Sequence, residues 1–351
     1  IFDPYDYMIR EWTPSMSHNV SVNGRSGRTS YSIGLGYLDQ NGLIRPAKHD
    51  DFRRYNASAR ISTDINKYWT VRTGFNYSMR NKRYAYATSS TTADPWLYLY
   101  RWDTTYPMGQ DEWGRDIRSP YNEMKNANTA NKQDTYLSVS LGTTLNITKD
   151  WHVNVDYTYA AEDEVWNKVG TKFTMDNSWA GGSAYVARLD GNQIYVNDAG
   201  EVVPAGTPGA YAAWDMPYMQ YTGNGANPDH IYRSTINAKR HTWNITTDYN
   251  WDINDINNVK LMLGMNCVDW ESESNWSQVT NLTDIFHPSF SKTCGTQTAG
   301  GSKDWDGQLG WFGRVNYALM QRYLLEFNLR HDATSKFPKD LRWRWFPSFS
   351  M

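Results

Sequence analysis

The sequence predicts an all-β chain that forms part of a transmembrane, antiparallel, up-and-down β-barrel. Three regularities support this prediction. Apolar and polar residues alternate along about eleven segments, short and long connections follow one another in turn, and large aromatic residues lie at the segment ends. Mean hydropathy is -0.73, and no apolar run approaches the roughly 18 residues of a membrane helix. A barrel strand escapes this test because its alternating residues average out on a hydropathy scale.

Six segments alternate most clearly, with aliphatic or aromatic residues on one face and polar residues on the other. They are Thr29–Tyr37, Trp69–Met79, Leu137–Ile147, Trp151–Tyr159, Trp243–Ile253 and the strand that begins at Tyr323. Weaker alternation predicts strands near 18–24, 53–65, 259–270, 309–319 and 343–351. We expect each strand to have about ten residues, the length that a tilted strand needs to cross a bilayer.

The connections between these strands alternate in length without exception. Short turns are predicted at Gly24–Gly27, Ile65–Lys67, Thr148–Asp150, Asn254–Asn258 and Met320–Arg322. The long connections are Asp39–Asp50, Asn81–Asn131, part of Trp166–His241, Ser272–Asp304 and His331–Arg342. Outer-membrane barrels have short periplasmic turns and longer outer loops, whereas a soluble sandwich or propeller has short loops at both ends.

Aromatic residues make up 15 % of the chain, with 17 Trp and 25 Tyr. On the apolar face, large rings lie beside the short turns or toward the long connections, as expected of rings at headgroup depth. The alternative is a soluble barrel with aromatic core residues, but core aromatics have no reason to gather at strand ends. The predicted membrane girdle comprises Trp69, Trp151, Trp243, Trp251 and Tyr323.

The polar face carries too many ionisable residues for a dry core, because each unpaired buried charge costs several kcal/mol. A lumen that holds water or a polar plug would accommodate them. The predicted lumen-facing residues include Arg60, Arg72, Asp156, Asp248, Glu326 and Arg330. Eleven strands leave two edges open, which a bilayer does not tolerate. We therefore expect residues 1–351 to be an internal barrel segment whose remaining strands lie in sequence outside them.

Several strand motifs resemble the barrel of the SusC/RagA-type TonB-linked outer-membrane transporters. The resemblance begins with Ser32–Ile44, Arg54–Arg60 and Trp69–Ser78, and it is strongest at Trp311–Tyr317 and Arg322–Arg330. It continues through His331–Phe337 to Trp345–Ser348 and covers the strands and short turns, but not the long loops. Arg344 departs from the pattern, since a smaller residue is more usual there.

The resemblance implies a larger plugged barrel that imports a nutrient, with energy supplied through TonB. The plug and the TonB-contacting segment would lie N-terminal to this chain. A SusD-like surface lipoprotein would cover the barrel mouth as a lid, and the substrate would be a glycan or an oligopeptide. The implied location is the bacterial outer membrane, in contact with its lipid. A passive porin and an outer-membrane adhesin or secretion barrel are the alternatives.

Two aromatic-rich loop segments are candidates for contact with a substrate or with the lid. Their residues are Trp96, Tyr98, Tyr100 and Trp102 in the first and Trp214 and Tyr218 in the second. Aromatic faces there could stack on sugar rings or on apolar peptide side chains, or the loops could pack their own rings together. The sequence contains no catalytic motif and no metal-ligand series, so we expect no enzyme, no metal and no cofactor. A net charge of -2 predicts no nucleic-acid partner.

Overall fold

A computed structural model describes most of the chain. It covers residues 2–86, 94–104, 107–110, 114, 116–170, 173–176, 193–214, 218–221, 229–254 and 256–351. At residues 173, 174, 176, 214 and 218–221 only the backbone is described. No helix among the described residues is long and apolar enough to cross a membrane.

One large antiparallel sheet dominates the structure. Its first six strands are β1 (Ser15–Ser26), β2 (Thr29–Asn41), β3 (Asp51–Asn66), β4 (Trp69–Tyr86), β5 (Asn128–Asn146) and β6 (Trp151–Gly170). Five short strands follow in the connection after β6: β7 (Phe173–Asp176), β8 (Gln193–Val196), β9 (Val202–Val203), β10 (Tyr211–Trp214) and β11 (Tyr218–Tyr221). The sheet resumes with β12 (His230–Asp252), β13 (Asn257–Thr280), β14 (Gln297–Leu319), β15 (Tyr323–Thr334) and β16 (Trp343–Ser350).

The eleven long strands lie side by side in chain order, so the predicted up-and-down arrangement and the strand count are confirmed. The order is β1-β2-β3-β4-β5-β6-β12-β13-β14-β15-β16, and β1 and β16 are its two edges. Among the described residues the sheet is therefore an open part of a barrel wall rather than a closed barrel. The small strands pair separately, as β10-β8-β9 and β11-β7.

All five predicted short turns connect neighbouring strands of the sheet. The turn between β14 and β15 is the most constrained, because Met320 and Gln321 have φ angles of 54° and 55°. The Arg322 N–H donates to the Leu319 carbonyl at 3.0 Å across this turn. Two consecutive left-handed residues match the twist of a tight hairpin, although glycine and asparagine are the residues that normally adopt them.

Several strands are longer than the expected ten residues or so, and this part of the prediction is wrong. β12, β13 and β14 have 23, 24 and 23 residues. Parts of the predicted long connections are thus strand, at residues 81–86, 128–131, 230–241, 272–280 and 297–304. Both faces of the sheet are polar or mixed in these extensions, so the alternation that marks a strand in the sequence disappears while the backbone pairing continues.

The connection after β4 contains short helices, which the sequence reading did not predict. They are α2 (Pro95–Arg101) and α3 (Pro120–Asn126), and a third short helix, α1 (Pro4–Met8), precedes β1. Together they enclose a small apolar core, whose buried residues are Met8, Ile9, Tyr98, Trp102, Met108 and Met124. A 3-10 turn at Lys339–Leu341 lies between β15 and β16.

Candidate functional site

The two faces of the sheet differ in chemistry along the part of each strand nearest the short turns. Leu35, Leu141 and Leu263 lie on the apolar face with 60 %, 54 % and 65 % of their surfaces exposed. Nothing in the described chain covers this face, and an aliphatic surface of this extent is stable only against an apolar medium. The opposite face, which we call the inner wall, carries polar and ionisable side chains, as expected for the lumen side of a barrel.

The five predicted girdle residues all lie on the apolar face with their rings exposed. Trp69, Trp151, Trp251 and Tyr323 are at or near the strand ends that join at short turns, and Trp243 lies farther along β12. The structure thus places them at two levels of the sheet. Their contact with lipid headgroups stays a prediction.

Two of these tryptophans satisfy their indole N–H groups in the same way. Trp69 Nε1 donates to Thr143 Oγ1 at 2.6 Å, and Trp151 Nε1 donates to Thr247 Oγ1 at 2.8 Å. In each case the threonine lies on the next strand and on the same face. A tryptophan whose N–H is paired can lie flat on an apolar surface without an unsatisfied donor.

All six predicted lumen-facing residues lie on the inner wall. They occupy the same face by the strand register, which runs Arg72–Gly142–Asp156 across β4, β5 and β6. A polar cavity of about 690 Å³ opens over this region, with Arg60, Arg72 and Asp156 in its lining. Among the described residues, this part of the inner wall is an open, largely polar surface rather than a packed core.

One ion pair organises the centre of this cavity. Arg72 Nη2 donates to Asp156 Oδ1 at 3.0 Å, and both side chains are roughly 40 % exposed. Gly142 lies directly between their strands, and a Cβ atom there would be 2.2 Å from Asp156 Oδ1. The pair can cross β5 only because that position has no side chain. Sequence reasoning predicted the two charges but not the role of the glycine.

The other end of the inner wall holds a second polar network on β14 and β15. Arg314 Nε lies 3.8 Å from Glu326 Oε2, and Asn328 donates to Glu326 Oε1 at 2.7 Å. Arg330 pairs with Asp332 at 2.6 Å and lies 5.6 Å from the centre of the Phe312 ring. The partners of Glu326 and Arg330 are Arg314, Asn328 and Asp332. They could have been found from the sequence, because each is one of the polar residues of an alternating strand.

The aromatic segment 94–102 is a helix rather than a loop, and it divides its rings between two faces. Asp94 caps α2 by accepting from the Trp96 and Leu97 N–H groups at 3.0 and 3.2 Å. Tyr98 and Trp102 are only 4 % and 7 % exposed and pack edge to face. Trp96 and Tyr100 are 54 % and 74 % exposed. The burial of Tyr98 and Trp102 leaves Trp96 and Tyr100 as the accessible rings of this segment.

The helix had a recognisable signal in the sequence. An Asp before a Pro is a typical N-cap and N1 pair, and Trp96 and Tyr100 are spaced by one helical turn. For the second aromatic segment, Trp214 ends β10 and Tyr218 begins β11. Their side chains lie outside the described residues, so their predicted contacts are not located.

Sequence reasoning missed a cluster of rings and lysines on the inner wall, near the far ends of the strands. We call it the aromatic–lysine cluster. It comprises Lys82, Tyr84, Tyr86, Lys132, Trp166, Lys168, Tyr232 and Trp276. The Lys168 Nζ lies 3.2 Å from the centre of the Trp166 ring and 4.5 Å from that of Tyr232. These residues lie beyond the ten or so residues of each strand that alternate clearly.

Burial sets the electrostatics of this cluster. It lowers the pKa of Lys168, because a desolvated ammonium is less stable than one in water. Burial also raises the pKa values of Tyr84 and Tyr86. Trp166 Nε1 donates to the Tyr84 hydroxyl at 2.8 Å, which orients both rings.

Among the described residues, no group of three or more His, Cys, Asp or Glu side chains could hold a metal ion.

Comparisons with known proteins agree with this geometry. No family model matches the chain. It is 22 % identical over 351 residues to the TonB-dependent receptor SusC of Bacteroides thetaiotaomicron, an alignment covering 96 % of the chain and 31 % of that receptor. It is also 22 % identical over 365 residues to the TonB-dependent receptor P26 of Formosa agariphila, covering 99 % of the chain and 31 % of that receptor.

Solved structures share the fold. The RagAB peptide importer in its open-open state superposes with a TM-score of 0.71 at 14 % identity, covering 99 % of the chain and 34 % of the importer chain. Another RagAB peptide transporter structure gives a TM-score of 0.69 at 14 % identity, covering 99 % and 35 %. The chain thus spans about a third of the length of these relatives. Over nearly all of its own length, it is similar to the barrel of the SusC/RagA-type TonB-linked outer-membrane transporters.

Proposed function

We propose that this chain is part of a transporter that imports a nutrient across the bacterial outer membrane with energy delivered through TonB. The observation that carries the proposal is the two-faced sheet. An uncovered aliphatic surface lies on one side, and an ion-paired polar wall lies on the other. Such a wall suits a route for polar solutes bounded by lipid. The relatives are named as receptors and transporters, which supports a transport role rather than an enzymatic one.

The proposed substrate is a glycan or an oligopeptide, and the proposed partner is a SusD-like surface lipoprotein that acts as a lid. Trp96 and Tyr100 support the lid contact, since two exposed rings one helical turn apart form a ready protein-binding surface. Contact with TonB would be made by the region of the protein N-terminal to this chain.

Whole-cell uptake tests the energy source. Cells that express the full-length protein would be given fluorescent oligosaccharides and oligopeptides, with and without a protonophore and in a strain that lacks TonB. We expect uptake to fall to the background of cells without the transporter in both conditions. Uptake that persists without TonB and after the proton-motive force is dissipated would instead identify a passive porin.

The lid is tested separately. Trp96→Ala with Tyr100→Ala should reduce copurification of a surface lipoprotein, with Phe286→Ala as the control because Phe286 is an exposed ring in a different loop. Equal copurification with the wild type, the double variant and the Phe286→Ala control would show that these rings do not contact the lid.

The adhesin alternative has its own outcome. Cells that bind a host or matrix surface but import nothing would identify an adhesin.

A further inference from the structure

The aromatic–lysine cluster is built by the strand register. One row of facing residues on the inner wall runs Lys82, Lys132, Trp166, Ser234, Trp276 and Gly300 across β4, β5, β6, β12, β13 and β14. In the neighbouring row, Lys168 faces Tyr232, which faces Gln278. Rings and ammonium groups from several strands therefore meet on a rigid surface, which is how a preorganised binding site is made.

The Lys168 ammonium is surrounded by rings, and the Glu164 carboxylate attracts it without forming a direct ion pair. Trp166, Tyr232 and Tyr86 have their ring centres 3.2, 4.5 and 5.7 Å from its Nζ. In the part of the chain that the structure describes, no carboxylate lies within 4.0 Å of this Nζ. The carboxylate of Glu164 pairs with Lys132 instead, at 2.9 Å. A partly buried ammonium held by ring faces retains capacity for an anion.

The adjoining ring of Trp276 is 37 % exposed and has small neighbours. Tyr232 and Trp276 lie nearly parallel, 18° apart, with their centres 6.0 Å from each other. Trp276 leans over Gly300, where a Cβ atom would be 2.7 Å from its Nε1. Ser234 separates Trp166 from Trp276 in the same row. The two stacked rings, which we call the Tyr232–Trp276 step, lie beside the lysine.

We propose that the aromatic–lysine cluster binds an acidic saccharide, with a sugar ring on the Tyr232–Trp276 step and its carboxylate on Lys168. This inference rests on the proposed import function and names its substrate class. The C–H groups on a face of a pyranose ring pack against the electron-rich face of an aromatic ring. A uronic acid carries its carboxylate directly on such a ring, so one residue of the glycan can reach both the step and the lysine.

An acidic peptide fits the site less well. Peptides bound by a sheet commonly add as a strand at its edge, where free backbone groups are available. The cluster lies on the face of the sheet, in strands that are paired on both sides, and the edges are β1 and β16. Lys82 and Lys132 add positive charge beside the step. The carboxylate of Glu164 pairs with Lys132.

Calorimetric titration of the purified full-length transporter tests the proposal. The probes are oligogalacturonate, oligomannuronate and oligoglucuronate, the same three after methyl esterification, and an oligoglutamate peptide. The variants are Lys168→Met, Lys168→Arg and Trp276→Ala. Lys303→Met is the matched control, because Lys303 lies at the far end of β14 on the opposite face and pairs with Glu271.

We expect at least one oligouronate to bind. Esterification and Lys168→Met should each weaken its binding about tenfold or more, the size of a charge-assisted hydrogen bond. Lys168→Arg should restore most of the affinity, Trp276→Ala should weaken the acid and the ester alike, and Lys303→Met should change neither. The proposal is overturned if no oligouronate binds, if Lys168→Met leaves oligouronate affinity unchanged, or if only the peptide requires Lys168.

Uptake measured on the same variants separates this proposal from the transport function. Import that requires TonB but is equal in the wild type and Lys168→Met would leave the transport function intact and refute the site. Import that is independent of TonB would refute TonB-driven transport whatever the titrations show.

Discussion

A lysine introduced on the apolar face provides the sharpest test of the membrane orientation. We expect Leu141→Lys to destabilise the folded protein strongly and Ser140→Lys to have little effect. The two residues are adjacent in β5 and so lie at nearly the same depth. Leu141 points to the uncovered apolar face, whereas Ser140 lines the polar cavity of the inner wall.

The depth of Leu141 follows from the register. It faces Tyr157, which is six residues along β6 from Trp151. At about 3.4 Å per residue and a tilt of about 40°, these residues rise roughly 16 Å through an apolar band about 25 Å tall. A lysine on the lipid face near the midplane costs about 2–4 kcal/mol. The ratio of folded to unfolded protein should therefore fall by about 30-fold to 900-fold.

Urea titration of the full-length protein in phospholipid vesicles, followed by tryptophan fluorescence, measures this difference. Leu141→Ala is the control for lost packing, because it shortens the side chain without adding charge. The orientation is refuted if Leu141→Lys is no less stable than Leu141→Ala, or if Ser140→Lys is the more damaging of the two lysine substitutions.

Three further predictions concern the turns and loops. Gln321→Gly should stabilise the β14–β15 turn by about 1 kcal/mol, because glycine adopts a positive φ without a Cβ clash, and the urea midpoint reports it. Tyr98→Ala should expose the core around α2 to proteolysis within residues 94–126, whereas Trp96→Ala should leave the cleavage rate unchanged. Hydrogen bonds from the His287 N–H, the Lys292 ammonium and the Phe286 N–H lower the pKa of Asp284. The stabilisation of loop 281–296 by the ionised Asp284 should thus be fully present above the ordinary Asp pKa of about 3.9. It should fall as the pH drops below that value, and amide hydrogen exchange in the loop would measure the loss.

The sheet could be predicted from the sequence because one physical cause acts on every strand crossing the membrane. In the proposed orientation, lipid on one side and a polar lumen on the other require the residue type to alternate, as at Trp151–Tyr159. The same reasoning placed Arg72 and Asp156 on one face. It could not place Gly142 between them, since a glycine in a strand has several explanations and only the register selects one.

The helices and the aromatic–lysine cluster escaped prediction for different reasons. The rings of α2 invite a functional interpretation as a group, yet helical geometry buries Tyr98 and exposes Tyr100. Trp166 and Tyr232 are far apart in the sequence, and they meet only because β6 pairs with β12 across the long connection between them. Sequence spacing carries no information about that pairing.

The polarity of the sheet changes along its long strands. The medium outside the strands accounts for the pattern near the short turns and for the pattern farther along. Near the short turns, aliphatic residues such as Leu263 face outward and charges face inward. Farther along, the outward face carries Lys239, Glu271 and Lys303, with Glu271 3.8 and 4.0 Å from the two ammonium groups. On the inner wall beyond this level lie Trp166 and Trp276. We infer that water replaces lipid outside the strands there, because outward charge then costs nothing, and that the rings gathered inside are a surface for another molecule. The lipid should therefore end between the level of Trp243, which faces Tyr157, and that of Lys239, which faces Ala161.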